Sequence, residues 1–133
     1  MWTTIAERIV VGLFVLLLFA GAAGHVLSPE FYAPMVPEPI PLWLANALST
    51  VAEAAIGLAL LVPSTRWLGA MAFVGLMVAF LPIHIWDLFR EAPAVGSAGA
   101  AVVRLVFQAL FIGGGAWLVA QTRARAPDQA VGS

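Results

Sequence analysis

The chain has 133 residues and a mass of 14.0 kDa, and it is 62% hydrophobic and 10% charged, with a mean hydropathy of +1.00. A soluble domain carries about 25% charge and avoids wide apolar patches, so this composition excludes a water-soluble enzyme, a nucleic-acid binder and a disordered tail. Zero cysteines exclude disulfides, Fe–S clusters, zinc-thiolate sites and thiol catalysis, and six arginines against seven acids leave a formal charge of -1 with no polybasic patch.

Four stretches reach the ~20 apolar residues that a membrane crossing needs. They are expected at about 5–24, 42–62, 67–89 and 95–120. Between the first two lie Pro29, Pro34, Pro37, Pro39 and Pro41, where a helix cannot continue. Pro63-Ser64-Thr65-Arg66 forms the turn between the second and third spans, and Glu91-Ala92-Pro93 separates the third from the fourth. The polar tail, 121–133, is expected to fray. The expected fold is an all-α membrane protein: one up-and-down bundle of four transmembrane helices.

Arginine placement orients the bundle, because positive residues are retained in the cytoplasm. Arg8, Arg66, Arg123 and Arg125 share one side, and Arg90 is the arginine of the opposite connectors. Both termini are therefore expected in the cytoplasm of an inner (plasma) membrane protein, with the proline-rich connector outside. Trp2, Trp67 and Trp117 fall near inner ends and Trp43 and Trp86 near outer ends, as an aromatic belt requires. Arg8, the apolar run and Ala20-Gly21-Ala22 imitate a secretory signal peptide. Its removal would leave an odd bundle of three helices, so retention is the expectation.

A charge at mid-membrane costs about 2.5–3.5 kcal/mol, so each one needs a reason. In the second span, Asn46, Ser49 (or Thr50) and Glu53 recur at helical spacing and form one polar stripe. Glu53 lies about 16 Å deep at 1.5 Å per residue. In the fourth span, Arg104 and Gln108 stand one turn apart, at about 9 and 15 Å. These depths predict a buried Glu53–Arg104 pair, with Gln108, Ser49 and Asn46 filling the remaining hydrogen-bond positions. Pro82 in the third span frees a carbonyl, His84 follows, and Asp87 lies one turn later. His25 closes the first span at the same level. The polar groups thus converge on the outer half, over an inner half read as almost wholly apolar.

Each group has a bland role: Glu53 and Arg104 as interhelical glue, His25 and His84 as interfacial or capping residues. Gly21-Ala22-Ala23-Gly24 and Gly113-Gly114-Gly115 read as close-packing surfaces. Sharper alternatives are a haem held between His25 and His84, or a metal bound by His25, His84 and Asp87.

Several segments resemble the DoxX family of small four-helix membrane proteins, over about Arg8 to Val119. They are Ala23-Gly24-His25 with Ser28-Pro29-Glu30-Phe31-Tyr32 and Met35-Val36-Pro37, Val51-Ala52-Glu53-Ala54-Ala55-Ile56-Gly57-Leu58-Ala59-Leu60-Leu61, Phe80-Leu81-Pro82-Ile83-His84-Ile85, and Arg104-Leu105-Val106-Phe107-Gln108. Two positions depart from the family pattern: His84 stands where relatives carry asparagine, and Val106 where they carry proline. The resemblance implies a four-helix bundle and, by analogy, redox work beside the quinone pool. Some DoxX-type proteins are associated with thiosulfate:quinone oxidoreductase, others with dehydrogenase maturation or oxidative-stress complexes.

The functional expectation is a redox-associated accessory subunit, alone or as a homo-oligomer, beside a respiratory, photosynthetic or dehydrogenase complex. It would bind a quinone-like or other amphiphilic ligand, or a partner, in its outer half. The ligand-binding candidates are His25, Asn46, Ser49, Glu53, His84, Asp87, Arg104 and Gln108. The alternative is a membrane-embedded enzyme with Glu53 as acid–base residue, isomerase- or oxidoreductase-like on a lipophilic substrate.

Overall fold

The structure is a computed structural model describing residues 4–125. Four long helices follow one another: α1 (Ile5–Leu27), α2 (Leu42–Leu61), α3 (Arg66–Leu88) and α4 (Ala98–Arg123). A short 3-10 helix, Pro29–Met35, lies in the proline-rich connector, and the described residues contain no strand. All four long helices are long and apolar enough to cross a membrane.

Local chemistry sets the helix boundaries. Thr4 caps α1 by accepting from the Glu7 backbone N–H at 3.2 Å. The helix runs three residues beyond the expected Gly24, then stops at Ser28, because Pro29 disfavours helical backbone before it. Helix α4 starts at Ala98 instead of about 95. Gly96 takes φ of 92°, a left-handed turn suited to glycine, and Ser97 caps by accepting from Ala100 N–H at 3.1 Å. Pro82 sits inside α3, which continues to Leu88.

Polar contacts establish the up-and-down course. Glu7, near the start of α1, pairs with Arg66 at the start of α3 and with Arg125 just past α4. Those three helix ends therefore meet at one end of the bundle, called here the terminal end. At the opposite, connector end, His25 of α1 meets Asn46 of α2, and Asp87 of α3 meets Arg104 of α4. Helix α1 packs most extensively on α2, and α3 on α4. The α2–α3 contact is smaller, and α1 meets α4 only briefly, which leaves α2 and α4 across the diagonal.

The core is a layer of Phe14, Leu18, Leu60, Phe73 and Leu118. Phe14 and Phe73 stack with centroids 4.1 Å apart, and Phe111 meets Phe14 edge-on at 6.3 Å. On α4, Gly115 admits Phe73 and Val74, since a Cβ there would lie 3.0 Å from Phe73 Cδ1 and 2.7 Å from Val74 Cγ2. Gly113, expected on the same packing surface, faces open space. The outward faces carry Leu16, Val51 and Leu110, each more than half exposed, as lipid-facing residues should be. Trp43 and Trp86 lie at the connector end and Trp67 at the terminal end, while Trp2 and the tail 126–133 lie outside the described residues.

Candidate ligand-binding chamber

The small residues ending α1 decide which side chains reach the bundle interior. A Cβ at Gly21 would stand 2.6 Å from Glu53 Oε2, and one at Gly24 would overlap the Tyr32 hydroxyl. The Gly21–Gly24 stripe is thus a seat for a carboxylate and a phenol as well as a packing surface. Glu53 itself is 8% exposed.

His25 is held on three sides. Its Nδ1 lies 2.8 Å from Asn46 Oδ1, and Tyr32 stacks on the ring with centroids 3.7 Å apart. Asn46 Nδ2 donates to the Pro29 carbonyl at 3.3 Å. Because that amide nitrogen donates, the Asn46 oxygen accepts, and the proton of a neutral His25 resides on Nδ1. Nε2 then turns its lone pair toward Glu53 Oε1, 3.8 Å away. Burial pushes the Tyr32 phenol above its ordinary pKa, and the Glu53 charge adds to the rise.

These groups form the polar end of a cavity of about 330 Å³ between α2, α3 and the connector. Ser49 and His84 also line it, and Val36, Ile40, Leu48, Phe80 and Ile83 provide apolar wall. His84 Nδ1 and Glu53 Oε2 are buried and have no hydrogen-bond partner among the described residues. Thr50, the other residue of the expected stripe, turns away and donates to the Asn46 carbonyl at 2.7 Å.

The expected Glu53–Arg104 pair is not formed. Arg104 Nη2 donates to Asp87 Oδ2 at 2.9 Å, and its Nη1 contacts Met35 Sδ at 3.7 Å. Asp87, 1% exposed, also accepts from Arg90 Nη1 at 3.2 Å and from Ala94 N–H at 2.7 Å. Gln108 does not fill a position around Glu53 either, because its Nε2 donates to the Met77 carbonyl at 2.5 Å. The helices face different neighbours: the α2 stripe meets α1, and Arg104 meets α3.

A family model described as a domain of unknown function, DUF8561, matches residues 13–120. The chain belongs to the DUF8561 family. No curated protein and no solved structure matches it. The DUF8561 match spans every residue of the chamber and of the Asp87 cluster, and it leaves out Glu7 and Arg125.

Of the sequence candidates, this DUF8561 chain brings His25, Asn46, Ser49, Glu53 and His84 to one chamber. It sends Asp87 and Arg104 to a separate clasp and Gln108 to the α3 backbone. His25, His84 and Asp87 do not assemble a metal site, since no group of three His, Asp or Glu among the described residues could hold an ion. Of the two histidines of the haem alternative, His25 has Nδ1 on Asn46 Oδ1 and Nε2 3.8 Å from Glu53 Oε1. Two participants went unread in the sequence. Tyr32 had its connector position as the signal. Glu7, 1% exposed, gives the supposedly apolar terminal half a buried charge, and its signal was its place beside Arg8 and across from Arg66.

Proposed function

We propose that this protein is a multi-pass inner-membrane protein that holds a quinone-like or other amphiphilic molecule in the connector-end chamber. The observation that carries the reading is the chamber itself: mostly apolar walls, with His25, Tyr32, Asn46 and Glu53 gathered together and His84 also in the lining. Its ~330 Å³ lies at the small end of the usual range for ligand sites, about 300–1,000 Å³, and the mix of wall and convergent polar groups is typical of them. A headgroup would sit against the polar end while the tail follows the apolar wall toward lipid. The resemblance to DoxX proteins supports a role as accessory subunit beside a quinone-linked or dehydrogenase complex, and it does so by analogy. The arginine distribution supports cytoplasmic termini, which places the chamber near the outer surface.

The experiment is gentle extraction, followed by mass spectrometry of lipophilic molecules and proteins that travel with the chain. Wild type should retain a lipophile that an Ala45→Phe variant, its chamber filled, loses at unchanged helicity. Equal recovery from both variants refutes the chamber reading.

A second reading is favoured by the Asn46–His25–Glu53 series, in which an amide fixes a histidine tautomer beside a carboxylate. That arrangement suits acid–base chemistry on a lipophilic substrate. Turnover lost in Glu53→Gln, with the fold retained, would support it.

A further inference from the structure

The polar end of the chamber has a defect that a ligand of one kind would repair. His25 Nε2 and Glu53 Oε1 face each other at 3.8 Å, beyond the range of a direct hydrogen bond. When His25 is neutral, its proton held on Nδ1 by Asn46, and Glu53 is ionised, both facing atoms are acceptors. A donor placed beside the gap would lie within hydrogen-bond distance of both. Glu53 Oε2 is a third acceptor without a partner among the described residues.

The cations of the chain lie elsewhere. There is no lysine, and four of the six arginines, Arg8, Arg66, Arg123 and Arg125, belong to the terminal end. The remaining two, Arg90 and Arg104, are both engaged by Asp87 and do not line the chamber. The chamber therefore presents a carboxylate with no arginine beside it, in a lining that also includes Tyr32 and Phe80.

Resting on the chamber reading above, in its amphiphile rather than its quinone form, we propose that the site selects amphiphiles with a protonated primary amine head over those with a hydroxyl or carboxylate head. An ammonium has three N–H donors and no acceptor, so it can satisfy His25 Nε2 and Glu53 together while neutralising the buried charge. A hydroxyl has one donor and leaves one acceptor unmet. A carboxylate adds a like charge beside Glu53.

The test compares dodecylamine, dodecanol and dodecanoate, which share one tail, on the full chain in phosphatidylcholine nanodiscs. Binding is read by native mass spectrometry at matched mole fraction in the bilayer. The amine should bind at least about ten-fold more tightly than the carboxylate, with the alcohol between. Glu53→Gln should remove most of the amine's advantage, while Arg123→Gln, exposed at the opposite end of the bundle, should preserve it. Equal binding of the three heads, or preference for the carboxylate, overturns the headgroup inference and leaves the chamber standing. Binding of none of them overturns both.

Discussion

Glu53 reaches His25 because the residue opposite it on α1 is Gly21. With a Cβ at that position 2.6 Å from Glu53 Oε2, the carboxylate would have to leave its seat. Gly21→Ala should therefore destabilise the bundle by about 1–3 kcal/mol, the usual range for overpacking. In a Glu53→Ala background the same change should be nearly neutral, giving a coupling of about 1 kcal/mol or more. Unfolding of the four variants in mixed micelles measures that cycle, and simple additivity would mean that Gly21 acts through helix packing alone. Tyr32 gives an independent readout, because it is the single tyrosine of the sequence. Its phenol is raised first by burial and second by Glu53, so phenolate absorbance should titrate above the ordinary value of about 10. Glu53→Gln should lower the midpoint without restoring the ordinary value, since burial remains. The folded state holds this proton longer than the unfolded one. Its contribution to stability is thus complete below pH of about 10 and is lost as pH rises through the folded value. A midpoint at the ordinary value would place Tyr32 in open water, away from His25 and Glu53.

The connector over the chamber is tied down by one carboxylate acting through two arginines. Arg90 Nη1 donates to the Pro34 carbonyl at 2.6 Å while contacting Asp87, and Arg104 bridges Asp87 to Met35. Asp87→Asn would leave Arg104 largely buried without its counter-charge, at a cost of about 3 kcal/mol. Arg90→Gln removes a more exposed tie and should cost under about 1 kcal/mol. Amide hydrogen exchange checks both: residues 29–41 should exchange faster in each variant, and the turn at 92–97 only in Asp87→Asn. Unchanged exchange in the connector would show that it is held by its prolines and apolar contacts. This clasp marks the boundary of what sequence made legible. Hydropathy and prolines located all four helices to within a few residues, and spacing placed Asn46, Ser49 and Glu53 on one face. Depth along a helix follows from counting residues, but rotation about the helix axis depends on which neighbours pack tightly. Here the tight pairs are α1–α2 and α3–α4, so two side chains expected to meet, Glu53 and Arg104, turn to different partners. The Asp87–Arg90 spacing signalled one contact of the clasp, whereas the Asp87–Arg104 pair had no signal in spacing.

At the scale of the whole molecule, polar chemistry secures both ends of a bundle whose middle is held by aromatic packing. The terminal end is closed by Glu7, which draws Arg66 and Arg125 onto α1, where α1 and α4 otherwise touch little. Interactions of this sort fix which helices are neighbours, a matter that apolar packing alone leaves weakly specified in lipid. The two ends also differ in charge: four arginines gather at the terminal end and two at the connector end. Under the orientation proposed above, retention of positive charge in the cytoplasm would turn the chamber outward. The chain has no cysteine, so single introduced thiols report sidedness without background. Ser64, in the α2–α3 turn, and Glu91, in the α3–α4 connection, are both exposed and lie at opposite ends of the bundle. In intact spheroplasts, a membrane-impermeant maleimide should label Glu91→Cys at once and Ser64→Cys only after permeabilisation. The reverse pattern would open the chamber to the cytoplasm, and its ligand would then have to be drawn from the inner leaflet. Equal labelling of both before permeabilisation would mean that the chain does not hold one orientation, and a sided role for the chamber would fall with it.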